Sequence, residues 1–127
     1  MQKINSYKDL LIWQKAIVVI SDVYEITKKF PSEERFGLMS QMQRAAVSIA
    51  ANITEGHGRG TRSDYAHFLD MAHGSISELE TLLTVTRNLS YCQPLECSKI
   101  ETRLDEIGRM LESLKSRLRG RSLTPRT

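Results

Sequence analysis

Between Leu38 and Glu55 the chain carries a single charge, Arg44. Burying a guanidinium in so apolar a segment is costly unless carboxylates or carbonyls meet it. Glu78 and Glu80 are the candidate partners, one at each edge of the apolar face of a later helical segment. Ser48, Asn52 and Glu55 recur at helical spacing in the same narrow stripe as Arg44. These six residues form an expected buried polar network that fixes helix register or joins subunits. No nucleophile with an adjacent base accompanies them, so the chain reads as a non-enzyme. Catalysis here would require the network to open into a cleft.

Other chemistry-bearing residues are sparser. A metal site in a helical bundle needs Glu-x-x-His pairs on two helices; His57, His67 and His73 supply none, so no metal or cofactor is expected. The loop Glu55-Gly-His-Gly-Arg-Gly-Thr-Arg62 is rich in glycine, but nucleotide loops follow a strand, and a Walker motif ends Gly-Lys-Ser/Thr. It reads as a helix break, with Arg59 and Arg62 as candidate phosphate contacts. After Glu112 no acidic residue follows, whereas Lys115, Arg117, Arg119, Arg121 and Arg126 do. Such an arm can release counterions from nucleic acid, or it can simply complement a helix dipole. Tyr7 and Trp13 read as helix-entry and core residues rather than base-stacking platforms.

The elements that must position these groups are four helices. At 127 residues and 40% apolar composition, the chain fits one domain with a real core. No run approaches the roughly 20 apolar residues of a membrane span. Lys15 interrupts the N-terminal apolar segment, which argues against a signal peptide. Cys92 and Cys97 are too few and too close for a disulfide framework, so reduced thiols in a cytoplasmic protein are expected.

The first helix, 7–30, is expected to be capped by Ser6 with Asp9 and stopped by Pro31. Its expected seam is Leu10, Trp13, Ile17, Ile20, Tyr24 and Thr27. The second, 37–56, follows a turn with Ser32 as capping candidate and ends at Gly56, Gly58 and Gly60. It is apolar nearly all round, and Val47, Ala50 and Ala51 occupy the side away from its main face. A helix of that kind is buried on several sides, so self-association is expected, with Ala50 facing another subunit. The third helix, 63–90, takes Ser63 as N-cap and has Tyr65, Phe68, Leu69, Ala72, Ile76, Leu79, Leu83 and Thr86 as its expected core face. The fourth, 94–119, opens on Pro94 and repeats Cys97, Ile100, Leu104, Ile107, Leu111, Leu114 and Leu118 at alternating spacings of three and four. Short connections make neighbours antiparallel, giving an all-α, up-down-up-down four-helix bundle over 1–119 and a basic, flexible tail over 120–127.

Several segments resemble a known pattern. Leu11-Ile-Trp-Gln14, Phe30-Pro31 with Gly37-Leu38, Arg44-Ala-Ala-Val-Ser-Ile49, Asn52-Ile-Thr-Glu-Gly56, Phe68-Leu69, Gly74-Ser75 and Glu78-Leu-Glu80 resemble the bacterial four-helix-bundle proteins of the 23S ribosomal RNA intervening-sequence family. The resemblance implies a ring-like homopentamer and supplies no established activity. A related accessory protein of diversity-generating retroelements looks like the same bundle and binds nucleic acid and a reverse transcriptase through a basic surface. The hallmark positions carried over are Arg44, Ser48, Asn52, Glu55, Gly56, Gly74, Glu78 and Glu80; many members have proline where this chain has Ala50.

These readings lead to a homo-oligomer that associates with RNA or DNA phosphates through Lys115, Arg117, Arg119, Arg121, Arg59 and Arg62. The alternative is a scaffold that recruits a nucleic-acid enzyme and touches nucleic acid only through it.

Overall fold

The structure, a computed structural model, describes residues 6–120. Four helices, α1 (Leu11–Thr27), α2 (Leu38–His57), α3 (Arg62–Asn88) and α4 (Pro94–Leu118), account for most of them. Short 3-10 turns at Tyr7–Asp9 and Ser32–Glu34 precede α1 and α2. Around the bundle α1 packs on α2 and α4, and α3 packs on the same two.

Side-chain pairs give the directions. Lys15 and Asp22 of α1 and Lys29 just beyond its end meet Glu106, Arg103 and Glu96 of α4, numbers rising along one segment as they fall along the other. Arg87 with Glu101 and Asp70 with Lys115 set the same reversal between α3 and α4. Thr86 with Met42 and Ser75 with Ser48 set it between α2 and α3. Each of these neighbouring pairs is therefore antiparallel.

The core is a continuous cluster from all four helices, with Val19, Met42, Ile49, Ile53, Leu69, Leu79, Leu83, Leu104 and Ile107 fully enclosed. On α3 and α4 most of the apolar face falls where the periodicity sets it, but Tyr65, Phe68, Leu114 and Leu118 are only half-buried and Lys115 is buried in the last turns of α4. On α1 the face falls elsewhere. The buried stripe is Ile12, Ala16, Val19, Val23 and Ile26, joined by Thr27 of the expected seam, while Ile17 and Tyr24 are exposed and Trp13 and Ile20 only flank the core. Because α1 is apolar on two adjacent faces, spacings of three and four fit either stripe. Lys15, Asp22 and Lys29, seven residues apart, break the tie by aligning one edge of the helix hairpin with the charges of α4.

The helix ends also depart from expectation. Ser6 and Asp9 do form a capping box, but it closes the 3-10 turn Tyr7–Asp9, since Leu10 is extended and α1 starts afresh at Leu11. Ser32 caps nothing; instead Glu34 accepts the Leu38 N–H at 3.2 Å, and Tyr91 donates its hydroxyl to the same carboxylate at 3.2 Å. The cap of α3 is Thr61, whose hydroxyl accepts the Asp64 N–H at 3.1 Å, not Ser63. Cys92 and Cys97 are joined as a disulfide rather than held as free thiols. Left-handed Ser90, with φ of 58°, turns the chain back at the end of α3. That turn brings Cys92 to the first turn of α4. The thiol argument for the cytoplasm loses its premise; no helix among the described residues is long and apolar enough to cross a membrane.

Gly56 belongs to α2 instead of ending it, because α3 passes close there. A Cβ at this position would stand 2.9 Å from Tyr65 Cδ1, 3.0 Å from Phe68 Cβ and 3.2 Å from the Tyr65 carbonyl oxygen. Alanine would gain about 1 kcal/mol of helix propensity, but the last two atoms cannot move without parting the helices, an overpacking cost of about 1–3 kcal/mol. Gly56→Ala is therefore expected to lower the urea midpoint at an unchanged m-value. A raised midpoint would show that α2 and α3 can separate freely at this crossing.

Candidate nucleic-acid interface

Antiparallel packing brings the N-termini of α1 and α3 and the C-termini of α2 and α4 to one end of the bundle, and most of the expected phosphate contacts gather there. Their environments differ sharply. Lys115 is nearly enclosed, with its ammonium 3.0 Å from Asp70 Oδ1 and 2.6 Å from Glu112 Oε1. Burial alone would depress its pKa, but hydrogen bonds to the two carboxylates outweigh it and raise the value. Lys115 is thus a structural ion and not an open phosphate contact. Arg119 is also engaged, donating to Asp70 Oδ2 at 2.6 Å. Desolvation pushes Asp70 upward, yet the hydrogen bonds from Arg119 and Lys115 hold its carboxyl below the usual range.

Arg59 stands 4.6 Å above the Phe68 ring and 3.2 Å from Glu55 Oε1, a cation stacked and paired at the surface. Arg62 and Arg117 are exposed and have no carboxylate partner among the described residues. Arg121 lies outside the described residues, as does most of the tail expected over 120–127.

Two clefts divide this end. Arg62 and Arg119 line one of about 530 Å³ together with Ser63, His67 and Asp70. Arg117 lines another, of about 370 Å³, between α1 and α4, and there it is joined by Arg109. Arg109 is exposed and unpaired as well. Sequence reasoning missed it because Glu106 and Glu112 bracket it in the chain, yet Glu106 is drawn to Lys15 and Glu112 to Lys115. The signal lies in the pairing pattern: carboxylates engaged with other cations leave the cation between them free.

The expected buried network is not enclosed within one chain. Arg44, Glu55 and Glu78 are exposed, and Glu80 is half-buried. Arg44 makes no ion pair with either Glu78 or Glu80; Arg44 and Glu78 instead share an open cleft of about 340 Å³ with Gln41, Ala45 and Ser48. Ser48, which lines it, also belongs to a polar chain in which Asn52 Nδ2 donates to the Ser48 carbonyl at 2.9 Å and Ser75 donates to Ser48 Oγ at 2.9 Å. A long side chain at the edge of an apolar face reaches solvent with its charged head, which is why Arg44 needs no internal partner. Ala50, expected at a subunit boundary, is buried inside the chain, and Val47 and Ala51 carry the outward side of α2. Among the described residues no group of histidine, cysteine and carboxylate side chains could hold a metal ion.

The fold and these sequence features have relatives. No curated protein matches the chain. A crystal structure of a protein of unknown function from the S23 ribosomal protein family of Bacteroides thetaiotaomicron is similar in fold, with a TM-score of 0.76 at 24% identity, covering 83% of this chain and 98% of that one. The sequence profile of the 23S rRNA-intervening sequence proteins matches residues 8–113, across all of α1 to α3 and most of α4. This chain belongs to the 23S rRNA-intervening sequence protein family.

Proposed function

We propose that the protein is a non-enzymatic, cytoplasmic homo-oligomer that holds RNA or DNA phosphates at the basic end of its bundle. The observation that supports this reading is that Arg62 and Arg117 stand at the same end of the bundle, with Arg109 about two turns further along α4, all exposed and none ion-paired with a carboxylate among the described residues. Arg119 and Arg59 add positive charge beside them, and the sequence continues into Arg121 and Arg126 with no acid. Contacts of this type recognise the phosphate backbone rather than base edges, so sequence selectivity is low.

Self-association rests on the opposite charges of Arg44 and Glu78, which stand unpaired in one cleft beside exposed Val47 and Met71. Arg44 of one copy meeting Glu78 of another would satisfy both. Five copies in a ring is the number the family resemblance implies, and repetition of a weak site around a ring multiplies its effective concentration.

Fluorescence anisotropy with structured RNA and with duplex DNA tests the nucleic-acid reading. Wild-type affinity is expected to fall steeply between low and physiological salt. The double variant Arg62→Glu with Arg117→Glu is expected to weaken binding at least tenfold and to reduce the salt slope by about 2, roughly one for each lost phosphate contact. Wild-type protein that binds neither probe at low salt would overturn the reading.

A further inference from the structure

The cleft between α1 and α4 has a different character from the rest of the basic end. Its walls are Leu10, Leu11, Met110 and Leu114, with Arg109 and Arg117 on the α4 side. Leu11 is 57% exposed although it opens a core helix. The groove follows from the break at Leu10. The register of Lys15 on Glu106 and Asp22 on Arg103, continued along α4, sets Leu114 against the stretch where α1 has already ended. The apolar seam of α4 therefore outruns the helix that should cover it.

Nucleic acid does not explain such a surface, since phosphates have nothing to gain from a leucine and methionine floor. Nor do the arginines suit one small anion. Eight residues of helix separate them by about 12 Å, the spacing of two carboxylates placed two turns apart on a second helix. Arg103 and Lys115 of the same helix and Arg119 at its C-cap are each matched to a carboxylate, whereas Arg109 and Arg117 are not.

We infer that this groove docks an acidic amphipathic helix of a partner protein, whose aliphatic side chains fill the space between Leu11 and Leu114 and whose carboxylates meet Arg109 and Arg117. The mode is helix-in-groove recognition, with apolar anchors at i, i+3 or i+4, and i+7 and charge fixing the orientation. The site does not depend on nucleic-acid binding, although Arg109 and Arg117 would be shared between the two ligands.

The test uses the full chain as bait for a displayed library of random 16-residue peptides, with RNA affinity measured in parallel on the same preparations. Enriched peptides are expected to carry leucine-type residues at helical spacing flanked by glutamate or aspartate. Synthetic copies are expected to lose at least tenfold in affinity for Leu11→Asp and for Arg109→Glu with Arg117→Glu. Leu11 is the first residue of α1 and exposed, and an acid there favours the helix dipole. Leu11→Asp should accordingly keep the wild-type melting curve and RNA affinity. Enrichment without that pattern, peptides that bind Leu11→Asp as well as wild type, or a changed native mass of Leu11→Asp, which would make the groove a contact between copies of this chain, would each overturn the inference. Wild-type protein that enriches such peptides but binds no RNA would count against the nucleic-acid reading and leave this one standing.

Discussion

Ala50→Glu is expected to unfold the chain, and Val47→Glu, one turn away on the same helix, is expected to leave it folded and separate its copies. Ala50 is 5% exposed and sits in the core cluster. Among the described residues every neighbour in that cluster is apolar, so a carboxylate there would lose its hydration with no cation or donor to replace it. A penalty of several kcal/mol compares with a whole-domain stability of about 5–15 kcal/mol. Val47 is 42% exposed and lies beside the cleft holding Arg44 and Glu78. A glutamate at that position costs the single chain about 0.5 kcal/mol or less, but it would set a second negative charge beside Glu78 in the proposed contact. Circular dichroism and light scattering separate the two effects. Wild-type melting of Ala50→Glu would contradict the burial; wild-type mass of Val47→Glu would move the subunit contact away from the α2 and α3 cleft.

The same pair shows how far the sequence could be read. Periodicity sets the buried stripe over most of α3 and α4, up to the last turns of α4, because their polar and apolar faces are distinct and only one stripe can be buried. It failed for α1, where two neighbouring stripes are equally apolar, and for the outward side of α2, where alanine is compatible with core and surface alike. In both cases the choice is made by partners on other helices. The register of α1 follows its charges against α4, and Ala50 turns inward while Val47 and Ala51 turn out.

Charge was harder to read than hydrophobicity. Arg44 stood out because its segment is apolar, and Lys115 was grouped with the arm because no acid follows Glu112. The structure reverses their burial. A strict repeat of three and four runs from Cys97 to Leu111 and would continue to Leu114, but an α-helix of 3.6 residues per turn drifts against that repeat. By the last turns the drift has carried position 115 to the inner face, and Leu114 and Leu118 stay partly exposed. Allowing for drift would have placed Lys115 inside and called for the carboxylates that meet it, Glu112 one turn back and Asp70 across on α3. The arginines left without a carboxylate among the described residues, Arg35, Arg44, Arg62, Arg109 and Arg117, follow by subtraction once the paired cations are known. That subtraction needs the three-dimensional pairing.

Removing both carboxylates, Asp70→Ala with Glu112→Ala, is expected to destabilise the protein by about 2–3 kcal/mol, less than the 3–5 kcal/mol of a fully buried broken pair because water reaches these acids. Asp70 is 46% and Glu112 61% exposed, whereas the Lys115 side chain is 7% exposed. The loss therefore falls on the ammonium left without partners. The pH dependence has two sides. The Lys115 hydrogen bond, opposed by desolvation, holds Glu112 below its ordinary range, and Asp70 is held low as well. Their contribution is present above the ordinary carboxylate pKa of about 4 and is lost as pH falls through the depressed folded values. The Lys115 pKa is raised, so its contribution is present below its unfolded value of about 10.4 and is lost as pH rises through the folded one. Stability from this cluster is thus complete between roughly pH 5 and 9. Adding Lys115→Met to the double variant is expected to recover most of the loss, since an apolar chain of similar length replaces an ion that no longer has a counterion. Thermal melts at pH 7 decide the matter: a double variant that melts with the wild type, or a triple variant no better than the double, would mean that the Lys115 ammonium is already hydrated and the three charges act independently.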